Sequence, residues 1–311
     1  MNQQTSAPAK IILFGEHAVV YGVPAIAIPI SSLRAYATIE VSSEPLTIIT
    51  SDLKIGERAI PVDLEDNLNP LIKMAALVLK YFGEVQKPSV KITLKSDIPI
   101  ASGLGSGAAI STALGRAIAT ALYQDIPDKI LNAMVYETEK IHHGTPSGID
   151  NTVIVYETPI YFVKDKTIQH LNIKSPFHII IADTGQTAFT HEAVGDVRKL
   201  HELDPIGTQI IFDKINSIVQ QAMICITTGN IPQLGHLMTK NHWQLQKLTV
   251  SSTKLDNMVT AALDAGALGA KMSGGGRGGN MIALVEEANV QSVKDALRLA
   301  GATRVFDSVV K

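Results

Sequence analysis

The residue with the clearest chemical potential is Asp150, which ends the segment His-Gly-Thr-Pro-Ser-Gly-Ile-Asp at positions 143–150. Proline and glycine at this density predict a fixed loop rather than the body of a helix. A carboxylate held in such a loop is a candidate general base. Lys10 precedes the apolar run Ile-Ile-Leu-Phe and could hold that base ionised or lower the pKa of a hydroxyl. Taken alone, Lys10 would more often be a surface charge at a strand end.

Two glycine clusters could receive phosphate. Residues 103–107, Gly-Leu-Gly-Ser-Gly, join a strand region to a predicted helix start, where backbone N–H groups and the helix dipole attract anions. Residues 273–279, Ser-Gly-Gly-Gly-Arg-Gly-Gly, contain more glycine than a hairpin turn requires, which favours close backbone approach to a ligand. The alternatives are a tight turn for the first cluster and a mobile surface loop for the second.

Glu139 and Ser106 could supply oxygen ligands to Mg²⁺, which takes one or two protein oxygens and the rest from phosphate and water. Glu139 lies on a predicted helix and, taken alone, would more often be a solvated charge. His142 and His143 have no third metal ligand at a suitable spacing, so packing or capping is the better interpretation. A base, a cation and two phosphate loops together indicate phosphoryl transfer.

Two other phosphate-binding patterns fit poorly. The P-loop requires Gly-Lys followed by Ser or Thr, and the chain contains no Gly-Lys dipeptide. Gly103, Gly105 and Ala108 match the dinucleotide-binding spacing, with Asp125 about 20 residues further on. Asp125 lies in a predicted helix-to-turn region rather than at a strand tip, so a dinucleotide oxidoreductase is a remote alternative.

Composition favours a soluble protein with small-molecule partners. The 311 residues suffice for two domains, 46% are hydrophobic, and the formal charge is −2. Lys and Arg are scattered, so neither nucleic acid nor a membrane is an expected partner. No segment is typical of a signal peptide or a membrane-spanning helix, which predicts a cytoplasmic protein. The one cysteine, Cys225, is predicted to pack in the core, as are Trp243 and the methionines.

Periodicity predicts strands mixed with helices and an α+β second domain. The predicted strands are 35–41, 89–95, 177–183 and 303–309, with a strand, glycine turn and strand at 269–285. The predicted helices are 70–82, 106–123, 128–142 and 289–300, with further helical patterns between 191 and 265. We place the domains at residues 1–175 and 176–311.

Four segments, in order and over nearly the whole chain, resemble motifs of the GHMP kinase family. Residues 8–22 contain Gly-Glu-His-Ala-Val-Val and resemble the first motif in its mevalonate kinase form, whereas galactokinases usually place an Asp-Tyr pair there. Residues 99–109 resemble the second motif, the ATP phosphate loop, and residues 271–280 resemble the third. Residues 143–151 resemble the catalytic loop His-Gly-x-Pro-Ser-Gly-x-Asp-Asn of the mevalonate kinase branch.

The resemblance implies an α+β, two-domain GHMP kinase fold, with a ribosomal protein S5 domain 2-like N-terminal domain and a ferredoxin-like C-terminal domain. It implies ATP and Mg²⁺ as cofactors and mevalonate as the acceptor, in isoprenoid biosynthesis. A homodimer is compatible with the sequence, which leaves the oligomeric state open.

Carried over by position, the resemblance gives each matching residue a role. Asp150 takes the proton from the C5 hydroxyl of mevalonate, Lys10 favours the alkoxide, and Ser106 and Glu139 are magnesium ligands. The ATP loop comprises Pro99, Ile100, Ala101, Ser102, Gly103, Leu104, Gly105, Ser106, Gly107, Ala108 and Ala109. The acceptor pocket comprises Lys10, Glu16, His17, Asp150, Thr190 and Gly274.

The chain departs from the family pattern at two positions. Gly107 stands where the second motif usually has a second serine, so one hydroxyl available to phosphate or Mg²⁺ is missing. Arg277 stands where the third motif usually has glycine, and its guanidinium either reaches a phosphate, which we favour, or points to solvent.

Two alternative functions stay open. Another small-molecule kinase of the family, such as a phosphomevalonate or homoserine kinase, would share the fold and the phosphate loop but not the acceptor pocket. The segment Gly-Glu-His-Ala-Val-Val argues against it. A non-catalytic binding protein on this fold would be expected to lose the base or the lysine, and both are present.

Overall fold

The computed structural model describes residues 3–52, 56–61, 68–84, 87–99, 102–143, 146–164, 166–187 and 190–311, without the side chains at 51, 52, 56–61, 142 and 143. The chain divides into two units. Unit 1 comprises Met1–Ala9, Leu33–Ile100 and Gly105–Glu157, and unit 2 comprises Lys10–Ser32, Ala101–Leu104 and Thr158–Lys311. Each unit is built from three segments that are not consecutive in the sequence. This division differs in kind from a single domain boundary after residue 175, and that boundary stays a prediction.

Unit 1 contains a set of paired strands formed by the last part of β2 and by β3, β4 and β5. The strands of the first half are β1 (Gln3–Phe14), β2 (Ala25–Val41), β3 (Thr47–Asp52), β4 (Gly56–Pro61) and β5 (Val90–Ser96). Residues 35–41 of β2 pair antiparallel with β5, β5 runs parallel to β3, and β3 pairs antiparallel with β4. Buried and half-buried residues alternate along residues 35–40, as they do in a strand with one face on a core.

Four helices complete unit 1. They are α1 (Pro70–Tyr81), α2 (Ser106–Ala121), α3 (Asp128–His143) and α4 (Ile149–Tyr156). The first three confirm the predicted helices to within two residues. Small residues let α2 approach its neighbours closely: a Cβ at Gly115 would lie 2.7 Å from Leu131 Cδ1 of α3.

Unit 2 contains an antiparallel four-stranded sheet. The strands of the second half of the chain are β6 (Ile160–Phe162), β7 (Gln169–His170), β8 (Phe177–Asp183), β9 (Gly269–Ser273), β10 (Asn280–Val285) and β11 (Arg304–Val310). The four-stranded sheet consists of β8, β9, β10 and β11. The sheet order is β11-β8-β10-β9, which is the order of a ferredoxin-like β-α-β-β-α-β unit. Ile181 at the centre of β8 faces Ile282 on β10 and Phe306 on β11. The first part of β2 also pairs with strands of unit 2: its residues 25–27 pair antiparallel with β6, which pairs antiparallel with β7.

The crossover from β8 to β9 holds four helices instead of one. These are α5 (Thr190–Leu203), α6 (Pro205–Thr228), α7 (Ile231–Lys247) and α8 (Thr253–Asp264), and α9 (Val290–Leu299) follows β10. Cys225 is buried on α6, as predicted. Trp243 is 53% exposed, so its predicted place in the core is wrong. On α7 the buried apolar face is formed by Leu234, Met238 and Leu245, and Trp243 points away from it.

Across the described residues, no helix combines the length and the apolar character that crossing a bilayer requires. The chain is α+β, with helices and two sets of paired strands.

Two helical glycines give opposite predictions for the same substitution. Gly235 on α7 lies against β9, and a Cβ there would lie 2.5 Å from Leu268 O, which is backbone and cannot rotate away. Gly195→Ala on α5 is the matched control, because no atom lies within 4 Å of the added Cβ. In thermal or urea unfolding, Gly235→Ala should destabilise the protein by about 1–3 kcal/mol. Gly195→Ala should stabilise it by roughly 0.5–1 kcal/mol. Equal effects would contradict the contact between α7 and β9.

Candidate active site

Asp150 lies in the first turn of α4, so the fixed loop predicted at this residue is wrong. Gly148 is the N-cap and has φ +88°, a left-handed conformation that glycine adopts without strain. The glycine that suggested a continuing loop therefore starts a helix. Gly144 and Thr145 lie outside the described residues, as does the side chain of His143.

Side-chain hydrogen bonds hold the start of α4 against α3. Asn151 Nδ2 donates to Asn132 Oδ1 at 2.6 Å, and Asn132 Nδ2 donates to Thr152 Oγ1 at 3.3 Å. Thr152 Oγ1 in turn donates to Gly148 O at 2.7 Å. The linked bonds fix the helical turn that carries Asp150.

The second-motif loop leads into α2 through two left-handed glycines, Gly103 at φ +79° and Gly105 at φ +76°. Gly105 is the N-cap and has no side chain that could cap the helix. Such a start offers backbone N–H groups to an anion. Ser106 is half-buried at the first helical position, and Gly107 is exposed. Of the other predicted ATP-loop residues, Pro99, Ser102, Leu104, Ala108 and Ala109 are buried, whereas Ile100 and Ala101 lie outside the described residues.

Glu139 is buried on α3, 4% exposed, so the solvated-charge alternative is wrong. Thr138 Oγ1 donates to Ser111 Oγ at 3.2 Å, and Leu131 lies against Gly115, so α2 and α3 run antiparallel. Ser106 and Glu139 therefore lie toward the same end of the helix pair. A hydroxyl and a carboxylate are oxygen donors of the kind Mg²⁺ prefers, and together they fit a magnesium ion that completes its shell with phosphate and water.

Lys10 lies within β1 and is 4% exposed, so the surface-charge alternative is wrong for this residue too. Its backbone N–H donates to Leu104 O at 3.0 Å, which ties β1 to the second-motif loop. An ammonium that is buried needs polar or charged neighbours, because desolvation of an isolated charge is costly.

The sequence reasoning missed the partner of Glu16. Glu16 Oε1 accepts a hydrogen bond from Lys271 Nζ on β9, and both side chains are buried. Lys271 Nζ also donates to Met272 O at 2.7 Å. Burial raises the pKa of the Glu16 carboxyl and lowers that of Lys271, while each partner opposes the shift of the other. Among the described residues, Glu16 Oε2 has no hydrogen-bond partner.

His17 is held as a neutral imidazole. Its Nε2–H donates to Gly275 O at 3.0 Å, and burial lowers its pKa to about 4. The backbone of His17 is left-handed, φ +59°, in the turn that follows Glu16. Its Nδ1 is a buried acceptor without a partner in the described part of the chain.

Two adjacent residues of α7 accept hydrogen bonds from the backbone of the first and third motifs. Asn241 Oδ1 accepts from Gly15 N at 3.4 Å, and His242 Nδ1 accepts from Met272 N at 3.3 Å. Because Nδ1 is an acceptor, the proton of the neutral ring lies on Nε2, which is 3.1 Å from Asp256 Oδ1. Burial lowers the pKa of His242 to about 4, against the opposing effect of Asp256.

The third motif also bonds to the other two motifs. Asn280 Nδ2 donates to Ser102 O in the second-motif loop at 2.5 Å, and Ser273 Oγ donates to Ile12 O on β1 at 2.8 Å. Neither these contacts nor that of Lys271 was expected from the sequence. The available signal was a lysine inside an otherwise apolar strand, Gly-Ala-Lys-Met-Ser.

Thr190 and Gly274 lie on the side of unit 2 that carries the second glycine cluster. Thr190 is the first residue of α5 and is exposed. A Cβ at Gly275 would lie 2.8 Å from Thr190 Cβ, so this glycine allows α5 to touch the loop. Gly274, at φ +84°, has open space where a Cβ would stand.

The side chain of Arg277 bonds to two residues of unit 2, and its predicted contact with a phosphate stays a prediction. Its Nη1 donates to Asp196 Oδ2 at 2.6 Å, and its Nε donates to Thr249 O at 3.2 Å. The guanidinium is therefore engaged within unit 2.

Comparisons with known proteins agree with this arrangement. Residues 69–158 match the family model described as GHMP kinases N terminal domain, and residues 222–303 match GHMP kinases C terminal. A mevalonate kinase from Pyrococcus furiosus is 35% identical, over 98% of this chain and 95% of its own.

Two solved mevalonate kinases are similar over nearly their whole length. The structure from Methanococcus jannaschii has a TM-score of 0.88 at 28% identity and covers 100% of this chain and 98% of its own. The L. major enzyme, solved in complex with R-mevalonate, has a TM-score of 0.86 at 28% identity and covers 99% of this chain and 96% of its own.

The neutral His242 predicts a change in stability with pH. Its pKa in the folded state, about 4, lies below the ordinary value of 6.5, so unfolding takes up a proton between these pH values. Stability should therefore fall as pH decreases from 6.5 to 4, by about 1.4 kcal/mol per pH unit for each such histidine. In urea unfolding from pH 4 to 7, His242→Asn, which keeps an acceptor for Met272, should lower that slope by about one proton.

His236→Asn on the same helix is the control for this measurement, because His236 is exposed. It should leave the slope unchanged. A slope that His242→Asn does not alter would show that His242 is protonated in the folded protein.

Proposed function

The chain belongs to the GHMP kinase family, within its mevalonate kinase branch, and from this premise we propose that it is an ATP-dependent kinase acting in isoprenoid biosynthesis. It transfers the γ-phosphoryl group of ATP to the C5 hydroxyl of (R)-mevalonate and releases 5-phosphomevalonate and ADP. The premise rests on full-length similarity to mevalonate kinases and on two family models that match both halves of the chain.

The observation that carries the choice of acceptor is the buried polar cluster of the first motif. Glu16 Oε2 and His17 Nδ1 are acceptors without partners among the described residues. Buried polar atoms are nearly always hydrogen-bonded to protein, water or a ligand, so both atoms are able to accept a hydrogen bond from a bound acceptor molecule. A small acceptor with hydroxyl groups supplies such donors, and mevalonate is one.

The roles of the individual side chains are proposals. Asp150 accepts the proton of the C5 hydroxyl, and Lys10 stabilises the alkoxide that forms. The backbone N–H groups at the start of α2 bind phosphate oxygens. Ser106 and Glu139 would hold Mg²⁺, which would neutralise charge on the phosphate groups. Glu16, His17, Thr190 and Gly274 line the acceptor pocket.

The cellular setting is proposed from the sequence alone. We propose a cytoplasmic protein that binds neither nucleic acid nor membranes, because its charge is near zero and its basic residues are scattered. A homodimer is the oligomeric state to test, by light scattering of the purified chain.

One assay tests the activity and its closest alternatives. ADP release with MgATP should be observed with mevalonate and not with phosphomevalonate, homoserine or galactose. ADP release with only one of the other acceptors would refute mevalonate as the substrate but leave the assignment as a kinase. Release with none, in a folded protein, would favour the non-catalytic alternative.

Asp150→Asn should lower turnover by roughly 10² or more, because the amide keeps the shape but cannot accept the proton. The Michaelis constants should change less. Asp125→Asn is the control, since Asp125 is an exposed aspartate on the same unit. Turnover near that of the wild type in folded Asp150→Asn would show that the alkoxide forms without this carboxylate.

Glu139→Gln should raise the Mg²⁺ concentration needed for half-maximal activity, because a neutral amide is a poorer ligand for a hard cation. Glu137→Gln, two positions away on α3, is the control: Glu137 is exposed and pairs with Lys140 at 2.6 Å. Identical magnesium titrations for the two variants would exclude Glu139 as a ligand.

A further inference from the structure

Arg277 occupies a backbone conformation that suits glycine. Its φ is +59°, in the left-handed region, where a residue with a Cβ is strained. Three hydrogen bonds hold it there: its N–H donates to Val250 O at 2.8 Å, its Nε to Thr249 O, and its Nη1 to Asp196 Oδ2. An arginine at the position where the resemblance expects glycine is thus fixed by side-chain contacts that glycine could not make.

The partner of Arg277 lies on α5, the helix that begins at Thr190. Asp196 also accepts from Lys199 Nζ at 3.0 Å, and the hydrogen bond from Arg277, followed by that from Lys199, lowers the pKa of its carboxyl. Ala193 and Val197 are the buried residues of α5, and His201, near its end, packs against the rings of Tyr21 and Phe212. Residues 190–196, which carry Thr190 and Asp196, bury only Ala193, so this part of the helix depends more on polar contacts for its position.

The start of α5 and the turn before it rest on the second glycine cluster. Gly279 N donates to Gln186 O at 2.8 Å, and a Cβ at Gly278 would lie 2.8 Å from the carbonyl oxygens of Gln186 and Thr187. Gly275 contacts Thr190 as described above. The pair between Arg277 and Asp196 joins the same loop to α5 nearly two turns after Thr190.

We propose that Arg277 is a positioning residue of the acceptor pocket, which fixes α5 through Asp196 and so places Thr190 over the glycine loop without contacting the nucleotide. This inference rests on the proposed function, because the role of Thr190 belongs to it. The role of the guanidinium is to hold a helix, at a position where the resemblance expects glycine.

Three single variants, and the double variant that combines Arg277→Asn with Asp196→Asn, distinguish the effect of the Arg277–Asp196 pair from that of its neighbours. Arg277→Asn removes the guanidinium, and asparagine tolerates a left-handed backbone. Asp196→Asn removes the charge of the partner. Lys199→Gln is the matched control, because it removes the other cation from Asp196 and leaves the loop untouched.

We expect Arg277→Asn and Asp196→Asn each to raise the mevalonate KM by about threefold to fivefold, the upper range for a partly exposed ion pair. The double variant should raise it no further, because one interaction is lost in all three cases. The KM for ATP and the thermal midpoint should stay close to those of the wild type. Lys199→Gln should leave both Michaelis constants unchanged.

Two outcomes of these measurements would overturn the inference. A raised ATP KM in Arg277→Asn but not in Asp196→Asn would mean that the guanidinium binds phosphate. A lower thermal midpoint with an unchanged mevalonate KM would mean that the pair is structural only.

Hydrogen exchange separates this inference from the proposed function, since it needs no turnover. Amides of residues 190–203 should exchange faster in Arg277→Asn and Asp196→Asn, but not in Lys199→Gln. Unchanged exchange would refute the role of the Arg277–Asp196 pair in holding α5, whatever the substrate. If the wild type is inactive with mevalonate but the variants show this exchange pattern, mevalonate is refuted as the acceptor and the role of the pair stands.

Discussion

The buried pair of Glu16 and Lys271 is the constraint on which the arrangement of unit 2 depends. Two opposite charges lie away from water, and such a pair is tolerated only when both partners are present and hydrogen-bonded. The pair joins the first motif, in the turn after β1, to the third motif on β9. Because a missing partner would leave an uncompensated buried charge, the two motifs are coupled: neither can move without breaking the interaction.

Other contacts extend this coupling to the rest of the unit. Asn241 and His242 of α7 bond to the backbone on either side of the pair, and Asn280 bonds to the second-motif loop. Each of these contacts satisfies a buried polar group while joining segments far apart in sequence. The polar network therefore both stabilises the fold and fixes the backbone around Glu16 and His17, which each keep one acceptor without a partner among the described residues.

The sequence predicted local structure well and the environment of single side chains less well. Helix and strand periodicity located α1, α2, α3, α9, β5, β8 and β11 to within two residues, because burial of one face imposes a regular pattern. It missed the first ten residues of β2 and did not predict β3, β4, β6 or β7. Asp150 was misplaced because glycine is common both in loops and at helix N-caps. The exposure of Trp243 and the burial of Lys10 and Glu139 depend on which face packs against which element. Lys271 could not be paired from the sequence, since Glu16 is 255 positions away.

The starts of α2 and α4 differ from those of four other helices in the residue at the N-cap. The N-cap side chains Asn69, Asp204, Asn230 and Ser252 accept hydrogen bonds at the starts of α1, α6, α7 and α8. At α2 and α4 the N-cap is glycine, which has no side chain to accept such a bond, although at α4 the Ile149 N–H donates to Ser147 Oγ at 3.3 Å. A capping oxygen occupies the first-turn N–H groups and repels anions, whereas glycine leaves them available. At α2 the N–H groups of the first turn are thus available to an anion, which is consistent with the proposed phosphate-binding role of the loop that leads to Ser106.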